Sequence, residues 1–139
     1  MNVQKFTPEQ WYAYAEAAHL LVFGEQRDPW LDRISYALLA CDGDDTVGYV
    51  TCRELGDGTV YWQYGGALKE FRGIKSVRGF EAFLKFASER YKRVTTLVEN
   101  DNVGYLHLLM KNGFRAIGIR YFEGKILLEM MWRTENAVH

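Results

Sequence analysis

Hydrophobic and polar positions alternate with two different periods along this chain, and the switches between them mark its elements. "VQKF" (Val3 to Phe6) is a short strand-like run. "TPEQ" (Thr7 to Gln10) carries the marks of a helix start. Thr7 is the N-cap, Pro8 takes the first helical position, and Gln10 completes a capping box. Trp11, Tyr14, Ala15, Ala18, Leu21 and Val22 then recur at helical spacing, and Gly24 ends the helix. Glu25 to Arg33 is irregular, with room for a helical turn after Pro29.

The period then becomes that of strands. "ISYALLAC" (Ile34 to Cys41), "TVGYVTCREL" (Thr46 to Leu55) and "TVYWQYGGAL" (Thr59 to Leu68) form a meander, joined by turns at Asp42 to Asp45 and at Gly56 to Gly58. Helical spacing returns from about Ser76 to Tyr91, with Val77, Phe80, Phe83, Leu84 and Ala87 as its apolar stripe. "RVTTLVE" (Arg93 to Glu99) is a strand. Asn100 to Phe114 is a capped helix ended by Gly113, and Phe114 to Arg133 is a hairpin around Glu123 and Gly124. The order β-α-(α)-β-β-β-α-β-α-β-β begins antiparallel. It then alternates strand with helix, so the pattern predicts an α/β (mixed α+β) fold with a parallel crossover in a mixed sheet of about six or seven strands.

A length of 139 residues suits a single domain spanning 1–139, and 48% apolar residues can fill its core. Formal net charge is −1, so no overall pull toward nucleic acid or an acidic membrane is expected. No apolar run reaches membrane-spanning length, and "MNVQKFTPEQ" lacks the apolar stretch of a signal peptide. In the hairpin register set by the Asp42 to Asp45 turn, Cys41 faces Thr46 and Cys52 faces Ser35. The two cysteines are then poor disulfide partners, which favours a reducing, cytoplasmic setting. His19, His107 and His139 have no ligand spacing with the cysteines, so no metal is expected.

One stretch carries more chemistry than the rest. "EFRGIKSVRGF" (Glu70 to Phe80) gathers glycines and cations just before a helix. A helix start offers unpaired N–H groups and the positive end of a dipole. Backbone amides from Gly73 to Val77, with Arg72, Lys75 or Arg78, therefore suit a pyrophosphate; the alternative is a solvated basic turn. Adjacent glycines inside a strand, Gly65 and Gly66, mark a bulge or a close backbone approach.

Element order and two motifs together resemble the GNAT superfamily of N-acetyltransferases over nearly the whole chain. The family's cofactor motif is a strand, then Arg/Gln-x-x-Gly-x-Gly/Ala, then a long helix. "RGIKSV" (Arg72 to Val77) stands in its place, with Lys75 and Val77 where the family has Gly and Gly/Ala. The second motif, an Asn-led helix ending in Gly-Phe, is matched by Asn102 to Lys111 followed by Asn112, Gly113 and Phe114.

The resemblance implies a GNAT-like sheet splayed between strands 59–68 and 93–99 near Gly65 and Gly66. It also implies acetyl-CoA as cofactor, held by Gly66, Ala67, Leu68, Arg72, Gly73, Ile74, Lys75, Ser76, Val77 and Asn102. The family's Tyr acid lies four residues before the Gly of Gly-Phe, where this chain has Leu109. Tyr105 is the substitute on the same helix, and Glu99 is the nearest acidic candidate for a base. Trp30, Tyr36, Tyr64 and Tyr121 are candidates for the acceptor pocket, which Phe23 to Arg33 shapes. The function implied is acetyl transfer to an amine, small-molecule or protein, by a monomer or a homodimer. The alternative is a GNAT-like domain without catalysis that acts as a binding or structural part.

Overall fold

The computed structural model describes residues 1–14, 33–67 and 73–136. Among these residues seven strands form one sheet in the order β1-β2-β3-β4-β5-β7-β6. They are β1 (Asn2–Phe6), β2 (Tyr36–Asp42), β3 (Asp45–Gly56), β4 (Thr59–Ala67), β5 (Arg93–Glu99), β6 (Arg115–Phe122) and β7 (Lys125–Arg133). Helix α1 occupies the described residues 8–14, α2 spans Ile74–Ser88 and α3 spans Val103–Lys111. β4 and β5 are parallel; the other neighbouring pairs are antiparallel. The predicted mixed sheet and its crossover are therefore present.

Local chemistry explains the element starts. The Thr7 amide donates to Gln10 Oε1 at 2.8 Å, and the Gln10 amide donates to Thr7 Oγ1 at 3.3 Å, so the capping box at α1 is formed. α2 begins two residues before its predicted start and ends three before its predicted end. Gly73 is its N-cap at φ 109 and ψ −132, a conformation that excludes side chains. Ser76 Oγ accepts from the Gly73 amide at 3.1 Å and donates to the Gly73 carbonyl at 2.7 Å.

The sheet buries both faces. On one, α2 and α3 cover Leu38, Val50, Val60, Trp62, Val94, Met130 and Trp132, with Phe80, Phe83, Leu106, Leu109 and Phe114 completing the core. On the other, Trp11 of α1 packs on Tyr49 with ring centroids 4.8 Å apart, beside Ala37, Leu39 and Cys41. α2 lies close because Gly79 faces the sheet: a Cβ there would stand 3.4 Å from Ala40 Cβ.

One register differs from the sequence expectation. Cys52 pairs with Tyr36 rather than Ser35, because Val47 is bulged out where Ala40 pairs with Gly48 and Cys41 with Thr46. Cys41 and Cys52 are both buried and free, one in the core on each face of the sheet. Among the described residues no helix is long and apolar enough to cross a membrane.

Candidate active site

The sheet opens where β4 meets β5. The parallel ladder joins only Thr59–Trp62 to Arg93–Thr96, although both strands continue. Gln63 is bulged out of β4, since Thr51 pairs with Tyr64 and Cys52 with Trp62. The bulge turns β4 away, and Thr96 Oγ1 donates to the Trp62 carbonyl at 3.0 Å, closing the last rung. The strands thus part at Trp62, before the predicted point at Gly65 and Gly66. The glycines instead let β4 lie close on β3, where a Cβ on Gly65 would stand 3.0 Å from the Tyr49 carbonyl oxygen.

A cleft of about 1760 Å³ runs along this face, lined by β3, β4 and by α2 and α3 from their starts as far as Ser88 and Asn112. Gly73, Ile74, Ser76 and Val77 reach it from α2, and Asn102, Gly104 and Tyr105 from α3. Two helix N-termini therefore face one cavity, and neither has an acidic residue in its first turn. Arg78, Lys85 and Lys111 line it against Glu81 alone among the described carboxylates. At the helix starts the dipoles, with Arg78, favour an anionic ligand, while Lys85 and Lys111 stand in the last turns of α2 and α3. Space is left for such a ligand, because among the described residues no atom comes within 4 Å of a Cβ built on Gly73 or on Gly104.

Lys75 does not line the cleft. Its ammonium is 3.1 Å from Asp42 Oδ2 in the β2–β3 turn. That hydrogen bond and charge hold the Asp42 carboxyl below its ordinary value. A side chain where the family has glycine is thus carried away from the α2 start, where Ile74 is 80% accessible.

Tyr105 lines the cleft and packs edge-on against Phe80, centroids 6.4 Å apart. Burial pushes its phenol up to about 12, so it is neutral and protonated at pH 7. Among the described residues its hydroxyl has no hydrogen-bond partner. Leu109 lies one turn on, at 0% exposure inside the core, and is not part of the cleft wall. Asn102 caps α3, its side chain accepting from the Tyr105 amide at 3.4 Å.

Other sequence candidates lie elsewhere. Glu99 ends β5 with Lys125 Nζ 2.9 Å from its Oε1, beside a separate cavity of about 220 Å³. The Glu99 hydrogen bond and charge raise Lys125. Tyr36 is buried, with its hydroxyl 2.6 Å from that of Tyr91, and takes no part in the cleft. Tyr121 stands 75% exposed on the outermost strand. The backbones of Gly66 and Ala67 pair with Tyr49 and Gly48. Trp30, Leu68 and Arg72 lie outside the described residues, as does the side chain of Tyr64. Sequence reasoning missed Gln63, whose bulge opens the wedge, and Gly104; only the double glycine beside Gln63 hinted at the irregularity.

No protein-family model and no curated protein sequence matches the chain. Solved structures do match. An IAA acetyltransferase from Bacillus cereus superposes with a TM-score of 0.75 at 15% identity, covering 95% of this chain and 98% of its own. The ribosomal-protein-S18-alanine N-acetyltransferase from Escherichia coli superposes at 0.77 with 9% identity, covering 99% and 95%. A GNAT family acetyltransferase from Elizabethkingia anophelis with acetyl-CoA bound superposes at 0.69 with 18% identity, covering 95% and 97%. The fold is that of the GNAT acetyltransferases.

Proposed function

We propose that this chain is an acetyl-CoA-dependent N-acetyltransferase acting on an amine. The observation that carries the reading is the parting of β4 from β5 at Trp62 and Thr96, beside a cleft faced by two acid-free helix starts. When bound, acetyl-CoA supplies an activated thioester carbonyl. This chain's residues supply the rest. The amides of Ile74, Lys75 and Ser76 hold phosphate charge at the α2 start, where the Gly73 amide is already taken by Ser76 Oγ, and the α3 start with Asn102 extends the same positive field. β4 from Gly65 to Ala67 offers the edge that β5 no longer pairs, which suits an extended amide-bearing arm laid down like an added strand. Tyr105 carries a proton of the kind a departing thiolate needs. Glu81, exposed on α2, is the one described carboxylate lining the cleft, so the acceptor amine is the kind whose proton water can take once burial lowers its pKa.

A second reading, a GNAT-like domain without catalysis that acts as a binding or structural part, is favoured by Leu109: at the family's acid position the chain has a core side chain. Calorimetry with acetyl-CoA, followed by thiol release with a panel of small amines and peptides, separates the two. Binding with amine-dependent thiol release supports the enzyme. Binding without release for every amine supports the second reading, and no binding overturns the enzyme and leaves the second reading.

A further inference from the structure

The outermost strand presents an unusual amount of apolar surface. β6 ends the sheet, so one side of its backbone is an open edge. Ile117 is 50% exposed, Ile119 73%, Tyr121 75% and, across the hairpin, Ile126 41%. Pairing of Ile119 with Leu128 and of Tyr121 with Ile126 puts Ile119, Tyr121 and Ile126 on the face that also carries Met130, while Ile117 is bulged between Ala116 and Gly118 and has no partner on β7. The opposite face carries Gly118 and Arg120. Arg120 Nη2 is 3.5 Å from Glu129 Oε2, and that carboxylate lies over Gly118, 3.3 Å from where a Cβ would stand.

We infer that a second copy of this chain pairs along this edge, β6 against β6, antiparallel about a two-fold axis at Ile119. The strand's own pattern selects the partner and the register. An axis at Ile119 sets each Ile119 opposite its counterpart and each Tyr121 opposite Ile117 of the other copy, as aromatic and β-branched cross-strand pairs. It also sets each Arg120 opposite Gly118 of the other copy. Gly118 has no side chain to obstruct it, and the Glu129 carboxylate already lies there. Two arginines and two glutamates then alternate across the join, and the symmetry makes both ends of the contact identical. An axis at Arg120 would face two guanidiniums, and a shift by one residue would set apolar against charged side chains. The bulge at Ile117 and the turn at Glu123 bound the usable edge, so the dimer is a modest one.

Sedimentation over a concentration series reads this directly. The wild-type chain of 16.1 kDa is expected to approach twice that mass at tens of micromolar. Ile119→Lys puts two like charges on the axis, and Arg120→Glu sets acid against Glu129 of both copies. Each is expected to weaken association at least about tenfold. Both sites are exposed, so circular dichroism should stay unchanged. A wild-type chain that is monomeric throughout, or a dimer indifferent to either substitution, overturns the inference.

Discussion

Thr96 closes the final rung between the two parallel strands, its Oγ1 donating to the Trp62 carbonyl at 3.0 Å, and beyond that pair β4 and β5 separate. The wedge thus has a built end: the hydroxyl satisfies a carbonyl at the point where the ladder stops. Thr96→Val keeps the shape and removes the donor. It should cost about 1–3 kcal/mol, the penalty of leaving a buried acceptor unsatisfied. Urea denaturation checks this, and an unchanged midpoint would show that the latch carries no stability.

Gly73 is the residue on which the proposed phosphate site most depends. At φ 109 and ψ −132 only glycine is comfortable, so Gly73→Ala should cost about 1–3 kcal/mol and rearrange the amides at the α2 start. Calorimetry should then record at least about a tenfold loss of acetyl-CoA affinity. Full affinity in a folded variant would place the phosphates elsewhere.

Tyr105→Phe retains the ring against Phe80 and removes the proton. The variant should keep its fold and its cofactor affinity while kcat falls at least about tenfold, within the usual range for a general acid. Leu109→Tyr should not compensate. Leu109 is fully buried, so the larger side chain overpacks the core at a cost of about 1–3 kcal/mol. A faster Leu109→Tyr enzyme with an unaffected Tyr105→Phe would remove Tyr105 from the chemistry.

Alkaline pH should destabilise the protein through its tyrosines. Burial, aided by Cys52 and the bond to Tyr91, pushes the Tyr36 phenol above its ordinary 10.0; burial alone lifts Tyr105 to about 12. The unfolded chain loses these protons near 10, and the native state holds them. Their contribution is therefore complete below pH 10 and is lost as pH rises toward the native values. Tyr36 and Tyr105 should each lower the unfolding free energy by up to about 1.4 kcal/mol per pH unit in that window. Tyrosinate absorbance against pH, with Tyr36→Phe as control, measures it; ionisation of all tyrosines near 10 without unfolding would contradict it.

Much of this was legible in the residues because it is local. Thr7, Pro8 and Gln10 specify a helix start by themselves, since a capping box involves only neighbours along the chain. The meander, the crossover and the Asn102-led helix follow from period and punctuation in the same way. So does the candidate phosphate loop, because a glycine ahead of an amphipathic helix exposes amides whatever lies around it.

What remained hidden depends on partners distant in sequence. No periodicity announces that Val47 is bulged, so the pairing of Cys52 slipped by one residue and Tyr36 fell into the core instead of the cleft. Lys75 reads as a phosphate ligand until Asp42, on another element, is found 3.1 Å away. Glu99 and Tyr121 have suitable chemistry for a site, but strand order placed one against Lys125 and the other on the open edge. Composition, periods and caps thus determined the elements and their sequence of connections, which are set by near neighbours. The bulges, the end of the β4–β5 ladder and the surroundings of each ionisable group were decided only when strands far apart in the chain came to lie side by side, because register and burial are properties of the pair rather than of either strand.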